Sequence, residues 1–214
     1  MTGSTPKGER RRAALLDAGV GLLVEGGFDA VRHRAVAERA GLPLASTTYY
    51  FSSLDDLVAA VVERHARADL DRGRQRLAEL DTCERSTAAL IELVLDMLLG
   101  PRRAAGDADA EAVLVRYERL VATGRRPHLR PLMRTLAAEL RSLLSEIFDR
   151  SGRPVSPAEL ERIIALVDGA VVNALIEIDP DPRAAAERML HAALEGSPAH
   201  GAPGVGNEPD TTPR

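Results

Sequence analysis

The chain has 214 residues, enough to bury a core of its own, and the lack of Trp, the 3% of aromatic residues and the abundance of Ala and Leu predict an all-α fold. A single cysteine, Cys83, excludes an internal disulfide framework, and with no signal-peptide pattern and no run of about 20 apolar residues we expect a cytoplasmic protein with no membrane partner. The net charge of −4 by itself argues against a polyanionic partner, but the charge is unevenly distributed. Residues 1–53 carry +2 and the remainder −6, so the N-terminal segment is the part that could bind a polyanion.

The first predicted helix runs from Glu9 to Glu25, where apolar residues recur at helical spacing, and Gly26-Gly27 supplies its stop. Residues 1–8 are expected to be disordered or to form an arm. Four basic residues lie between Lys7 and Arg12. Such a cluster is either the solvated start of a helix or a segment that binds phosphates, and its composition alone favours neither interpretation.

A second helix is predicted from Arg32 to Ala40, ending at Gly41, where a left-handed backbone is easily adopted. Leu42-Pro43 then opens a third helix, since Pro at a helix start loses no backbone hydrogen bond. Two short helices joined by a Gly turn form a helix-turn-helix, whose second member can enter a DNA major groove. Many helical hairpins bind no nucleic acid, so the pattern alone does not establish DNA binding.

Three stretches, "AVAERAGL", "STTYYF" and "SSLDDL", resemble the N-terminal domain of the TetR family of bacterial transcriptional regulators over about residues 8–65. The resemblance implies a three-helix helix-turn-helix DNA-binding domain over residues 9–53, followed by a larger helical ligand-binding and dimerisation domain. It also implies that the basic start of the first helix and the third helix contact DNA. The predicted DNA-binding residues are Arg10, Arg11, Arg12, Arg34, Leu44, Ala45, Ser46, Thr47, Thr48, Tyr49 and Tyr50.

The third helix is the predicted recognition helix, in which short hydroxyl side chains are donors for base edges and phosphates. We expect Thr47 to face away from the core and to read a base, and Thr48 and Tyr49 to contact phosphates. The chain departs from the common family pattern at Arg32, Thr48, Tyr50 and Leu54, where a Thr, a Tyr, a His and a Lys are usual. His33 shares a helix face with Val36, which favours a packed histidine over a DNA contact.

The second predicted domain covers residues 54–195. Ser53-Leu54-Asp55-Asp56 has the spacing of a capping box and starts a long helix that reaches Leu80. The stretch "STAALIELVLDMLLG" is apolar on nearly every side, which predicts a central, buried helix. Ser156 to Glu159 forms a second capping box, and residues 196–214, rich in Gly, Pro, Ser and Asn, are expected to be a disordered tail.

The helix predicted from Pro157 to Ile178 is apolar on two faces, one of which can pack on a second copy of the chain. The resemblance implies the same, because TetR-family regulators pair through their last two long helices. The predicted dimer interface consists of Ile164, Val167, Val171, Ala174 and Ile178. Packing of both faces within one subunit is the alternative.

The resemblance also implies a ligand pocket between the helices of the second domain. The candidate lining residues are polar or soft side chains among apolar neighbours: Asp96, Met97, Arg116, Tyr117, His128, Asn173 and Glu177. Because both charge signs occur in this set, it does not predict the charge of the ligand.

The predicted function is that of a homodimeric, ligand-responsive transcriptional regulator, a repressor released from its double-stranded DNA operator by a small-molecule effector. A helical adaptor that no longer binds specific DNA is the alternative. The sequence contains no Gly-rich phosphate loop, zinc-binding spacing or nucleophile elbow. We therefore expect no enzymatic activity, no cofactor and no metal.

Overall fold

In a computed structural model the protein is described over residues 5–80, 86–102 and 107–195, and these residues form helices joined by short turns, which confirms the all-α prediction. The helices are α1 (Pro6–Ala30), α2 (His33–Arg39), α3 (Leu44–Tyr50), α4 (Leu54–Leu80), α5 (Thr87–Leu99), α6 (Asp107–Thr123), α7 (Arg130–Arg150), α8 (Pro157–Ile176) and α9 (Pro182–Glu195), with a 3₁₀ turn at Pro127–Leu129. None of the helices in the described ranges is long and apolar enough to cross a membrane. The predicted tail, residues 196–214, and Cys83 lie outside the described residues.

Helix α1 begins earlier than predicted. The Thr5 side chain accepts a hydrogen bond from the Gly8 backbone N–H, and Pro6 occupies the first helical position. An arm over residues 5–8 is therefore wrong, because these residues hold the N-terminal cap and first turn of the helix. At the other end Gly27, with a φ of +66°, interrupts the helix at the predicted stop, and Phe28 then turns into the core.

Two hydrophobic clusters organise the molecule. The N-terminal cluster combines α1, α2 and the end of α3 with the first two turns of α4, and it includes Leu15, Val36, Phe51 and Leu57. The larger C-terminal cluster surrounds α5, whose side chains are buried on nearly every face, as predicted. Because α4 contributes to both clusters, it connects the two halves mechanically over a length of about 40 Å.

Close packing of α1 on α4 depends on one glycine. A Cβ atom at Gly19 would lie 2.4 Å from a Val61 methyl carbon, which is closer than real side chains approach each other. A larger residue at position 19 would therefore force either Val61 or one of the two helices to move. A movement of α4 is thus passed directly to α1.

The start of α4 carries the predicted cap. The Ser53 side chain accepts a hydrogen bond from the Asp56 backbone N–H at 3.0 Å, and the Ser52 hydroxyl donates to the Asp56 carboxylate. The hydrogen bond from Ser52 lowers the pKa of the Asp56 carboxyl, which stays ionised at the positive end of the helix dipole. Ser156 caps α8 in the same way by accepting from the Glu159 N–H at 3.2 Å.

Candidate functional site

Helix α3 presents a mostly uncharged surface to solvent. Leu44 is 51% exposed and Tyr49 is 81% exposed, with Ala45 and Thr48 also exposed between them. Thr47, by contrast, is fully buried, and its hydroxyl donates to the Leu44 carbonyl oxygen at 2.8 Å. The prediction that Thr47 faces away from the core was wrong, because the helix is rotated so that this side chain packs inward.

Helix α3 is tied to the start of α1 through Tyr50. Its hydroxyl donates to the Gly8 carbonyl oxygen at 3.0 Å, across 42 positions of sequence. The neighbouring Tyr49 ring stands edge-on to the Tyr50 ring, with their centroids 4.9 Å apart. Tyr50 therefore positions α3, while Tyr49 projects from it.

A surface cleft lies between the N-terminal end of α1 and helix α3. Lys7, Arg11 and Arg12 line one side of the cleft and Ala45, Ser46 and Tyr49 the other. The three cations and the polar face of α3 therefore point into one concave surface. On such a surface the cations can contact the phosphates of a DNA strand while α3 contacts the edges of the bases. The guanidinium of Arg12 also lies 5.7 Å from the centroid of the Phe51 ring.

The other predicted DNA-binding cations lie outside this cleft. Arg10 and Arg34 are exposed and belong to neighbouring parts of the same domain. His33 is half-buried, and its Nδ1 atom is buried, which fits the packed interpretation of this residue. Arg10 and Arg34 therefore remain predicted phosphate contacts.

A second candidate site lies where the two halves meet, as a cavity of about 260 Å³ that is partly open to solvent and is lined by α1, α4, α5, α6 and α7. Its walls are mostly apolar. The apolar lining residues are Leu23, Phe28, Val62, Ala66, Leu70, Met97, Leu120, Met133, Leu136, Ala137 and Leu140. A concave apolar site with a few polar groups is the usual form of a small-molecule site in proteins.

The polar groups of the cavity come from α4 and α6. They are His65, Asp69, Arg116, Arg119 and Thr123. Arg116 donates from Nη1 to an Asp69 carboxylate oxygen at 3.2 Å, and from Nε and Nη2 to the backbone carbonyl oxygens of residues 98 and 97 at 2.8 and 3.2 Å. Arg116 therefore caps the C-terminal end of α5 and fixes α6 against α4.

Of the seven predicted lining residues, Met97 and Arg116 line this cavity and the other five do not. Asp96 instead pairs with Arg76 and with the buried Arg183, which also binds Asp109 at 2.9 Å. Burial raises the pKa of Tyr117, so its protonated hydroxyl donates to an Asp168 carboxylate oxygen at 2.7 Å.

The remaining three predicted lining residues are not among those that line the cavity. His128 Nδ1 is 3.6 Å from an Asp55 carboxylate oxygen at the junction of the two halves, and Asn173 and Glu177 are exposed near the end of α8. His65 lines the cavity although it was not among the predicted residues. The signal that could have identified it is the four-residue spacing to Asp69 on one helical face of α4.

Comparison with known proteins identifies the family. The family model "Bacterial regulatory proteins, tetR family" matches residues 15–61, and the model "Tetracyclin repressor-like, C-terminal domain" matches residues 85–196, more than half of the chain. The chain belongs to the TetR family. It is therefore a transcriptional regulator of that family.

Individual relatives cover this TetR-family chain to different extents. The HTH-type transcriptional repressor KstR of Mycolicibacterium smegmatis is 39% identical over 77 residues, which are 36% of this chain and 37% of that protein. The match thus spans little more than a third of that relative. Crystal structures of the multidrug binding protein EbrR superpose with TM-scores of 0.61 with imidazole bound and 0.60 with ethidium bound. They are 28% and 29% identical and cover 89% and 86% of this chain, and 91% and 97% of EbrR.

A transcriptional regulator from Saccharomonospora viridis, solved in complex with choline, has a TM-score of 0.63 over 88% of this chain and 96% of its own. At 20% identity it shows the fold alone. Among the residues that the structure describes, no group of three or more His, Cys, Asp or Glu could hold a metal ion.

The dimer surface predicted from the TetR resemblance needs correction. Val167, Val171 and Ala174 are buried inside the subunit, and Ile164 packs against the same core. Ile178 is exposed, but it follows the end of α8 with a φ of +58°. The face of α8 named as the dimer interface is therefore the face that packs on the subunit's own core.

A different stripe of α8 is open to solvent. It consists of Ala165, Gly169, Val172 and Ile176, of which Val172 is 41% and Ile176 is 73% exposed. No described heavy atom lies within 4 Å of where a Gly169 Cβ would stand, and Met189 of the adjacent α9 is also 41% exposed. Small and apolar side chains at helical spacing suit close packing against another helix.

The rotation of α3 changes what its threonine should do. Thr47→Ala removes a buried hydroxyl and methyl group, so we expect a loss of about 1 kcal/mol or more in the free energy of unfolding and an unchanged preferred DNA sequence. Tyr49→Ala, at an exposed position, should change the free energy of unfolding by at most about 0.5 kcal/mol and weaken DNA binding. Thermal unfolding and selection of sites from random DNA measure both effects. If Thr47→Ala alone changed the preferred base, Thr47 would face the DNA, as the sequence predicted.

Proposed function

We propose that this TetR-family protein is a homodimeric repressor whose operator binding is released by a small molecule in the cavity between α4, α6 and α7. One observation carries the proposal: Leu23 and Phe28 of α1 line the cavity and also belong to the N-terminal hydrophobic cluster. A ligand in the cavity therefore touches residues on which the DNA-binding domain packs. The EbrR structures, solved in complex with imidazole and with ethidium, support a small-molecule ligand for a protein of this fold.

The ligand acts through the relative positions of two recognition helices. In a dimer, each α3 must reach the same face of the DNA, at a spacing set by the two subunits. The dimer can exchange between a spacing of the two α3 helices that fits the operator and one that does not. A ligand that binds one of these two states more tightly shifts the equilibrium between them by the difference in affinity and no more. Because α4 and α1 touch at Gly19, a ligand that pushes on α4 also changes the orientation of the DNA-binding domain.

The experiment that tests the proposal begins with the DNA. Purified full-length protein is mixed with fragmented genomic DNA from its source, and the retained fragments are sequenced to obtain the operator. Specific retention supports the regulator, whereas retention without sequence enrichment supports the helical adaptor. Binding to the selected operator is then measured with and without candidate ligands.

Operator binding should depend steeply on salt although the chain is acidic overall. If a dimer neutralises about six to ten phosphates, log affinity should fall against log salt with a slope of roughly −5 to −9. Arg11→Gln, in the cleft between α1 and α3, should reduce the magnitude of that slope by about two, since each subunit loses about one phosphate contact.

Arg141→Gln on α7 is the matched control, because Arg141 is exposed but lies far along the chain from the cleft residues. It should leave the slope unchanged. Fluorescence anisotropy of labelled operator over a salt series measures all three proteins. A flat salt dependence in the wild type would contradict DNA binding through phosphates and favour the adaptor.

A further inference from the structure

We propose that the cavity prefers an anionic ligand, a compact apolar molecule with one carboxylate-like head group placed near His65 and Arg119. The proposal rests on the proposed effector role of the cavity, but it concerns the charge of the ligand, which that role leaves open. It follows from how polar groups are distributed around the cavity, from the contacts that Asp69 already makes, and from the charges of the lining side chains.

The cavity has a polar side and an apolar side. Helix α7 contributes only Met133, Leu136, Ala137 and Leu140, and α1 contributes Leu23 and Phe28. All the charged lining groups come from one face of α4 and the facing side of α6. A ligand with an apolar body and one polar end fits this division, since its body lies on α7 while its head group points between α4 and α6.

The carboxylate of the cavity is already occupied by protein cations. Asp69 contacts Arg72 through one oxygen and Arg116 through the other, and its side chain is 18% exposed. Arg116 in turn donates its other hydrogen bonds to the carbonyl oxygens at the end of α5. A cationic ligand would therefore meet a carboxylate whose charge two arginines already neutralise, and it would gain less from this carboxylate than from an isolated one.

Arginines outnumber carboxylates among the side chains that line the polar side. Arg119 lies one helical turn after Arg116 and also lines the cavity, so the lining carries two guanidinium groups and one carboxylate. An anionic head group is attracted by this excess, and a cationic one is repelled. Arg is also the side chain whose planar donors match a carboxylate in geometry.

His65 adds a neutral hydrogen-bonding group beside these charges. Burial lowers the pKa of His65, and Asp69 opposes this shift. The nearby cations, which lower the pKa further, are Arg119, Arg116 and Arg72. The imidazole is therefore neutral at pH 7 in the unliganded protein, where it can donate one hydrogen bond to a head group.

The charge of the ligand then sets the direction of a pH effect. On its outer side His65 also faces a surface cleft with Asp17 and Arg64, which pair with each other at 3.0 Å. An anion bound next to His65 stabilises the protonated imidazole, raises its pKa and takes up a proton. Affinity for an anion should therefore rise as pH falls towards the usual His pKa of about 6.5, and affinity for a cation should fall.

Three ligands with the same ten-carbon tail test the preference: decanoate, decanol and decylammonium. We expect isothermal titration of the full-length protein at pH 7.5 to give decanoate an affinity at least about tenfold higher than decylammonium, and a further gain for decanoate alone at pH 6. Equal or tighter binding of decylammonium would overturn the proposal, and so would failure of all three to bind.

Substitutions of lining residues test whether the charge preference arises in the cavity. Arg119→Gln should keep decanol binding and bring the decanoate to decylammonium ratio close to one, whereas Arg119→Lys should retain the preference. The matched control is Arg125→Gln, at an exposed position just after α6 and outside the lining. Ala137→Trp, which fills the apolar side, should abolish binding of all three ligands; unaltered binding in this variant would place the ligand elsewhere and overturn the assignment.

Operator release separates this inference from the proposed function. If decylammonium or decanol releases the operator and decanoate does not, the charge preference is wrong while the repressor role stands. If decanoate binds with the expected preference and none of the three ligands changes operator affinity, the anion site stands and its effector role is contradicted.

Discussion

Val172→Glu is expected to convert the proposed dimer to monomers and to lower operator affinity by about 100-fold or more. Val172 lies in the middle of the exposed stripe of α8, between Gly169 and Ile176. In a symmetric dimer the substitution places two carboxylates in one apolar interface, and each buried charge without a partner costs several kcal/mol. About 1.4 kcal/mol corresponds to a factor of ten in an equilibrium constant, so a cost of several kcal/mol abolishes dimerisation. Operator binding is then lost as well, because it requires both subunits.

Light scattering over a concentration series and anisotropy on the operator measure the two effects. Ser142→Glu, at an exposed position of α7, is the control for the added charge and should leave both unchanged. A thermal unfolding curve checks that Val172→Glu is folded, as expected for a partly exposed position. A folded variant that stays dimeric would show that the subunits pair through another surface.

Local signals in the sequence predicted much of the fold. The break near Gly27, the Ser53 and Ser156 caps and the burial of α5 each depend on residues close together in the chain. Such features follow from backbone conformation and from periodicity over a few turns. For this reason the structure reproduces them at or near the predicted positions.

The rotation of helices about their axes was not predictable in the same way. Val171 and Val172 are neighbours in sequence and both apolar, yet one is fully buried and the other is 41% exposed. Periodicity shows that α8 has apolar residues on two faces, but which face packs on α9 and the core is decided by the rest of the chain. Thr47 was misplaced for the same reason, since a seven-residue helix gives too few turns to fix its orientation.

Long-range pairs explain why two of the predicted lining residues, Asp96 and Tyr117, are not found in the cavity walls. Asp96 and Arg183 meet across 87 positions, and Tyr117 and Asp168 meet across 51. A polar residue among apolar neighbours suggests a ligand contact only as long as its partner elsewhere in the chain is unknown. Folding supplies those partners, and the groups left around the cavity are ones that the local pattern did not single out.

The junction between the two halves joins the end of α1 to the turn between α6 and α7. The Arg126 guanidinium lies 3.9 Å from the centroid of the Phe28 ring, and its Nη2 atom is 4.0 Å from an Asp29 carboxylate oxygen. Leu129, fully buried, belongs to the N-terminal cluster, and Met133 packs against both clusters while lining the cavity. A ligand that displaces Phe28 or Met133 therefore moves this junction.

Arg126→Met should leave ligand binding and operator binding largely intact while weakening the link between them. Methionine keeps an apolar contact with Phe28 but removes the cation above its ring, an interaction of about 0.5 to 2 kcal/mol. That loss is comparable with a typical coupling of about 1 to 3 kcal/mol between two sites, so the drop in operator affinity caused by decanoate should shrink by about fivefold or more.

Operator titrations with and without saturating decanoate measure the coupling in Arg126→Met, in the wild type and in Arg125→Met. Arg125 precedes Arg126 in the same turn but is exposed, so its substitution should leave the response at the wild-type level. If Arg126→Met responds to decanoate as fully as Arg125→Met, the junction is not the route. The contact of α4 with α1 at Gly19 would then be the one that carries the ligand's effect to α3.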